Sequence, residues 1–136
     1  MNAFQLQLQD ATHAEAFDGV TSFVAQDRSG SFGIQAGHAR IMTSLSFGLA
    51  RFRQQTDDWH YIALPGGLLF FVGDTLQIST RHYLIDDDFE RITTLMREKL
   101  VAEETELRVL KQSLHRMEEE ALRRMWQLGR PGFPND

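Results

Sequence analysis

The chain has 136 residues, 42% of them apolar, and a formal net charge of −5. That suffices for one domain, or one domain with an appendage, and is too apolar for a disordered chain. Cysteine is absent, which excludes disulfides and thiolate metal sites. The acidic balance argues against a general nucleic-acid binder, which needs a basic stripe to displace counterions from phosphates.

The opening residues carry neither a basic n-region nor an apolar h-region, so no secretory signal is expected. The first pattern is Phe4, Leu6, Leu8 against Gln5, Gln7, Gln9, the period-two alternation of a half-buried strand. Glu15–Asp18 leads into a second run, Val20–Ala25, rich in β-branched and aromatic residues. Asp27-Arg28-Ser29-Gly30 is a turn by composition.

A glycine-rich stretch follows, Gly30 to Leu45, with glycines at 30, 33 and 37. Glycine at this density fits a loop that folds closely over something and then enters a sheet. Phe47–Arg53 alternates again, Gln54–Asp58 reads as a hairpin loop, and Trp59–Leu64 as the returning strand. Pro65-Gly66-Gly67 is a strong turn. Leu68–Val72, the longest apolar run, is far too short to span a bilayer and predicts a strand covered on both faces. Gly73-Asp74 signals a two-residue hairpin, Thr75–Thr80 alternates, and Arg81–Ile85 continues extended. Residues 1–85 therefore hold seven to ten short strands, the signature of a β-sandwich or barrel.

At Asp86 the period changes. Asp86-Asp87-Asp88 supplies an N-cap and negative charge for the positive end of a helix. Apolar residues then recur every three or four positions from Phe89 to Leu128, until Gly129 and Pro131 provide a stop, with Arg130–Asp136 expected to fray. Glu119 with Arg123 and Glu120 with Arg124 make favourable i,i+4 pairs. The stripe weakens at Ala102–Glu106, with Thr105 as a candidate cap. Two outcomes stay open: a helical hairpin that buries the stripe on itself, or one helix of roughly 64 Å at ~1.5 Å per residue, needing a partner for its apolar face.

No catalytic constellation emerges. Gly30, Gly33 and Gly37 fit neither Gly-x-Gly-x-x-Gly nor the Gly-Lys-Ser/Thr ending of a phosphate loop. His13, His38, His60, His82 and His115 include no His-x-His pair, and each reads as a surface or packing residue rather than a metal ligand. His38 stands apart because it lies within the glycine stretch. The three aspartates are explained by capping. Ser29, Ser31 and Ser44 lack a Gly-x-Ser-x-Gly setting. A β domain without a site, joined to an amphipathic helical tail, reads as an interaction module.

Gly30-Ser31-Phe32-Gly33-Ile34-Gln35-Ala36-Gly37-His38-Ala39 resembles the Gly-x-x-Gly-Ile-x-x-Gly-His-Ala segment of the epsilon subunit of bacterial rotary ATP synthases. Tyr61–Leu69, with Pro65-Gly66-Gly67-Leu68-Leu69, resembles that family's Gly-Gly-Ile/Leu-Leu segment, and Phe4–Leu8 followed by Phe17-Asp18-Gly19-Val20 fits its opening. The resemblance covers residues 1 to about 100. It implies a β-sandwich of about ten strands over residues 1–85, then a C-terminal helical domain over 86–136, as a hairpin or a long helix. It implies a non-catalytic central-stalk subunit on the cytoplasmic face of the inner membrane, bound to the gamma subunit, the c-subunit ring and the catalytic head, without membrane insertion. By position, Ser31, Phe32, Gln35, His38 and Arg40 face the c-ring. Arg108, Lys111, Arg116, Arg123 and Arg124 are the candidate contacts through which an extended helix inhibits ATP hydrolysis; the other reading is a solvated face balanced by Glu118–Glu120.

Two departures stand out. The family's Gly-His-Ala-Pro becomes Ala39-Arg40, adding a charge at the presumed rotor surface. The regulatory ATP motif of some members, Ile/Leu-Asp-x-x-Arg-Ala, has Glu90 and Thr93 at its aspartate and arginine positions, so no bound cofactor is expected. The Trp126–Asp136 end is also unlike that of common members, and together these departures point to a divergent branch, such as one from an alternate operon, coupled to protons or sodium. The competing class is a small β-sandwich adaptor that oligomerises through its helical tail; an enzyme ranks behind both.

Overall fold

The computed structural model describes residues 2–128. Nine strands come first: β1 (Phe4–Gln9), β2 (Ala14–Asp27), β3 (Gly30–Ile34), β4 (Ile41–Leu45), β5 (Gly48–Gln54), β6 (His60–Leu64), β7 (Gly67–Val72), β8 (Thr75–Ser79) and β9 (Leu84–Asp86). Helix α1 (Phe89–Leu95), a π-helical turn (Met96–Leu100) and helix α2 (Val101–Leu128) follow. The sandwich expectation holds, with nine strands where about ten were expected.

The strands hydrogen-bond in the order β1-β8-β7-β4-β2-β5-β6-β9, with β3 and β1 also paired to β2. Strand β4 joins β2 only where Leu45 lies opposite Asp27, so β1-β8-β7-β4 and β3-β2-β5-β6-β9 act as the two layers of the sandwich. All pairings are antiparallel except β1 with β8. The long strand β2 serves both layers. Its first half pairs with β1, from Gln9 opposite Ala14 to Phe4 opposite Val20, and its second half pairs with β5 and β3. Two bulges let it turn the corner. One extra residue falls between Phe17 and Val20, where Gly19 has φ +67°. Another falls at Thr21, whose hydroxyl donates to the carbonyls of Arg53 (3.3 Å) and Gln55 (3.0 Å). Bulges bend and twist a strand, which is what a corner needs. Glu15–Asp18, read as a lead-in, is therefore already strand.

The alternating residues of each layer meet between them. Phe4, Leu6, Leu8, Phe23, Ile34, Phe52, Ile62, Leu69, Phe71, Leu76 and Ile78 form one buried cluster. The Pro65-Gly66-Gly67 turn works by close approach. A Cβ on Gly67 would sit 2.6 Å from the Ser79 carbonyl oxygen, and Gly66 has φ +117°, so neither position takes a larger residue without backbone movement. The extended run expected through Arg81–Ile85 ends at Ser79 and resumes only at Leu84.

Each of the three aspartates has its own task. Asp86 accepts from Nε and Nη2 of Arg91, both at 2.6 Å. Asp87 meets the His60 imidazole. Asp88 is the N-cap of α1 and accepts the Arg91 amide at 3.0 Å. The Arg91 side-chain hydrogen bond, with the Asp88 amide, lowers the Asp86 carboxyl to about 2. Past the cap, Ile92 and Leu100 are fully buried over Ala63, with Leu49, Tyr61, Leu84 and Met96 around them. This satellite cluster carries the first compact unit beyond residue 85, to Val101.

The second unit begins at Ala102. The helical hairpin is not formed: α2 runs without a break through Ala102–Glu106, and Thr105 lies inside it rather than capping it. Glutamate and alanine are good helix formers, so propensity carries the helix across the stretch where the apolar stripe lapses. Glu120 pairs with Arg124 (3.1 Å) as expected, while Glu119 meets His115 (2.7 Å). The stop at Gly129 and Pro131 and the tail from Arg130 lie outside the described residues.

Candidate functional site: the β3–β4 corner and its neighbouring sheet face

The glycine-rich stretch is half strand. Gly30–Ile34 is β3, paired with β2 from Asp27 opposite Gly30 to Phe23 opposite Ile34. Glycines do not prevent this pairing, because it is decided across the sheet: Gly33 packs its backbone near the Phe23 carbonyl oxygen, 3.6 Å from where a Cβ would be. Ser31 and Phe32 thus sit on a strand, Ser31 exposed and Phe32 partly packed into the core.

The loop itself is short. The His38 amide donates to the Gln35 carbonyl at 3.1 Å, and Gly37 has φ +82°. Those are the marks of a type II turn over Gln35-Ala36-Gly37-His38, with the positive φ at its third residue demanding glycine. His38 Nδ1–H donates to the Ala39 carbonyl (2.6 Å), and its ring stands edge-on to Phe71 at 6.1 Å between centroids. Phe71 is fully buried, so the exposed turn rests on the core. Asp27 braces the other side. It accepts from the Ser29 amide (2.8 Å) and the Thr43 hydroxyl (2.8 Å), and the side-chain hydrogen bonds of Ser29 and Thr43 hold its carboxyl below the usual range. Gln35, His38, Ala39 and Arg40 are all exposed at the rim. The structure thus brings Gln35 and His38 into one turn, places Arg40 two residues past it just before β4, and sets Ser31 and Phe32 on β3.

Beside this corner lies a surface that sequence reasoning missed. Leu68–Val72 reads as covered on both faces, yet only one is buried, through Leu69 and Phe71. On the other, Leu68 is 50% exposed opposite Ser44, and Phe70 is partly exposed opposite Met42, itself 62% exposed. Gln77 lies opposite Phe70 and Gln7 opposite Gln77. The result is an apolar centre on β4 and β7 with a polar flank of glutamine, serine and threonine. The available signal was the unbroken apolar run itself, which requires a cover that the chain's own strands do not supply.

A second missed feature is on the opposite layer. The guanidiniums of Arg51 and Arg53 lie 4.5 and 4.7 Å from the ring of Trp59. Arg53 Nε has no hydrogen-bond acceptor, and the ring face accounts for its burial there.

On α2, Arg108, Lys111, Arg116, Arg123 and Arg124 are all exposed. At ~100° per residue, Arg108, Arg116 and Arg123 share the side away from the apolar stripe, whereas Lys111 borders it and Arg124 falls within it. The five do not make one basic face. Among the described residues no group of three or more His, Asp or Glu side chains is placed to hold a metal ion, and no helix is long and apolar enough to cross a membrane. A rigid turn, an apolar sheet face and an amphipathic helix are instruments of recognition rather than bond chemistry.

Residues 3–84 match the family described as the ATP synthase, Delta/Epsilon chain, beta-sandwich domain. The chain is 34% identical over 76 residues to the ATP synthase epsilon chain 2 of Cereibacter sphaeroides, covering 55% of this chain and 52% of that one. It thus spans about half the length of this curated relative. The fold is shared with a chain of the Tetrahymena thermophila mitochondrial ATP synthase central stalk and c-ring (17% identity, TM-score 0.52, 60% of this chain and 65% of that one). It is shared as well with a chain of the Euglena gracilis mitochondrial ATP synthase assembly of OSCP, F1 and c-ring (17% identity, TM-score 0.58, 71% and 62%). Through the β-sandwich that carries the β3–β4 corner, this chain belongs to the ATP synthase delta/epsilon chain family.

Proposed function

We propose that the protein is a non-catalytic rotor subunit of an F-type ATP synthase, peripheral to the cytoplasmic face of the inner membrane. The observation that carries this reading is the family match across the whole sandwich, residues 3–84. The mechanism is mechanical. A two-layer sandwich with a close-packed core deforms little, so it can hold the gamma subunit on one surface and the c-subunit ring on another without slip. The uncovered face with Met42, Leu68 and Phe70 suits gamma, because an apolar centre within a polar rim is the anatomy of a lasting subunit interface. The exposed corner with Ser31, Phe32, Gln35, His38 and Arg40 is offered to the c-ring, where its fixed type II turn presents backbone and side chains in one geometry. Helix α2 reaches the catalytic head through Arg108, Arg116 and Arg123 and restrains hydrolysis there.

The regulatory nucleotide of some relatives has no place in this reading. Glu90 and Thr93 stand at the motif's acid and arginine positions, and the Thr93 hydroxyl is spent on the Phe89 carbonyl at 2.7 Å. A family member's motif arginine would bring a cation to phosphate there, and this chain has none at that position.

The test is co-purification with the gamma subunit of the same organism at micromolar concentration. A stoichiometric complex supports the rotor reading, and no detectable complex sinks it. Deleting residues 105–136 should raise ATP hydrolysis by the assembled enzyme; unchanged hydrolysis removes the inhibitory role and leaves the rotor role standing.

A further inference from the structure

None of the residues of α2 is buried. Along one side, Leu107, Leu110, Leu114, Met117, Met125 and Leu128 are between 41% and 65% exposed. An apolar stripe of this length on a water-facing helix needs a cover. Its spacing identifies the kind of cover. Leu107, Leu110, Leu114, Met117, Ala121, Arg124 and Leu128 recur at alternating intervals of three and four, the a and d positions of a heptad seam. Leu100 and Glu103 continue the pattern backwards, but Leu100 is already buried in the first unit.

We infer that the free protein pairs with a second copy of itself through an antiparallel coiled coil of α2, with Leu114 of each copy opposite Met117 of the other. The two charged seam positions decide the direction. In a parallel pair Glu103 faces Glu103 and Arg124 faces Arg124, two like-charge contacts inside the seam. In the antiparallel alignment Glu103 lies opposite Leu128, and Arg124 opposite Leu107, while Leu110 meets Ala121. The flanking positions agree with this register. Lys111 of one copy lies beside Glu118 of the other, twice by symmetry, and Ser113 lies beside Glu120, so no like charges meet. The overlap runs from residue 103 to 128, roughly 39 Å at ~1.5 Å per residue, and uses nearly all of α2. A partner of other sequence would have no reason to match the chain's own charge order in reverse.

This inference does not rest on the rotor reading. It covers the leucine seam in the free chain and requires the pair to open before that seam meets anything else. The test is sedimentation equilibrium of the full chain, which should approach twice its 15.6 kDa mass. Leu114→Asp should leave a monomer with unchanged helical circular dichroism. Lys111→Glu and Glu118→Lys should each weaken the dimer about tenfold, through two like-charge contacts, and the double swap should restore it to within about threefold. Residues 111 and 118 are seven apart on one helix and do not touch within a copy, so rescue reads contact between copies. A monomer up to about 100 μM, a dimer indifferent to Leu114→Asp, or a Lys111→Glu dimer rescued by Glu106→Lys, as a parallel pair requires, each overturns the proposal.

Discussion

Ile92 is the residue whose loss should separate the helical start from the sandwich. It is fully buried with Leu100 over Ala63, in a cluster apart from the main core. Ile92→Ala deletes three carbons from that cluster. A large-to-small change at a buried aliphatic costs about 2–5 kcal/mol, and a small cluster near the surface collapses more easily than a deep core, which favours the lower half, about 2–3 kcal/mol. The loss should fall on local opening of α1 and the π-helical turn rather than on global unfolding, because Ile92 belongs to the satellite cluster and not to the main one. At that cost the open population rises roughly 30- to 150-fold. Native-state hydrogen exchange reads it directly. Amides such as that of Ile92, bonded to the Asp88 carbonyl at 3.0 Å, should exchange faster by that factor, while amides of β1, β7 and β8 keep their protection. Equal loss of protection in those strands would refute the reasoning, since the two clusters would then unfold as one.

Gly67→Ala forces a Cβ against the Ser79 carbonyl oxygen and should cost about 1–3 kcal/mol, read as a lower midpoint in urea; an unchanged midpoint would mean that β7 and β8 can part without penalty. Acid should weaken the fold through Asp10 and Asp86, each lowered to about 2 from 3.8. Backbone hydrogen bonds from Thr12 and His13 hold Asp10, and Arg91 holds Asp86. Both depressions make their contribution fully present above the unfolded carboxylate range and lost as pH falls from about 5 to 2, so Asp86→Asn should flatten the acid limb of a stability-against-pH curve. Met42→Glu with Leu68→Glu, on a face that is exposed in the free chain, should leave the unfolding free energy within about 0.5 kcal/mol of unchanged and remove gamma binding in a pull-down. His38→Ala and Arg40→Ala should lower ion pumping per ATP hydrolysed in the assembled enzyme while the isolated chain keeps its circular dichroism; full coupling in both would take the corner away from the c-ring.

Much of the sandwich was legible because its signals are local. Phe4, Leu6 and Leu8 alternate with glutamines, and all three are buried as that alternation demands. The Pro-Gly-Gly turn and the aspartate cap depend on residues a few positions apart, and both occur where their chemistry places them. What resisted reading depends on distant neighbours. The first half of β2 has no apolar alternation, only Ala14, Glu15, Ala16 and Phe17, and becomes strand because β1 offers its backbone from across the layer. Gly30–Ile34 reads as loop on composition and pairs because β2 runs beside it. At the candidate site, Gly37 announced a turn, but the ring of Phe71 beneath His38 and the Thr43 bond to Asp27 join residues far apart in the chain, which no local pattern records. The Arg51–Trp59–Arg53 stack was invisible for a different reason: Trp59 reads as the first residue of the returning strand but lies just outside β6, so strand alternation does not say where its ring goes.

The two uncovered apolar surfaces differ in what they ask of a partner. The face of β4 and β7 is held rigid by a core on its other side, with Leu69 and Phe71 buried beneath Leu68 and Phe70. A partner meeting it loses little of this chain's conformational freedom, so most of the buried area counts toward affinity. Its polar flank of Gln7, Gln77 and Ser44 also limits how far the contact can spread, which favours one geometry. Helix α2 has no buried residue of its own. Its proposed seam sets Glu103 and Arg124 opposite leucines, where a long side chain can carry its charge out along the flank, so direction is selected by avoiding like charges rather than by shape. A surface selected by shape suits a permanent joint under torque. A surface selected by charge order, with leucines doing the adhesion, suits a contact that must be made and released.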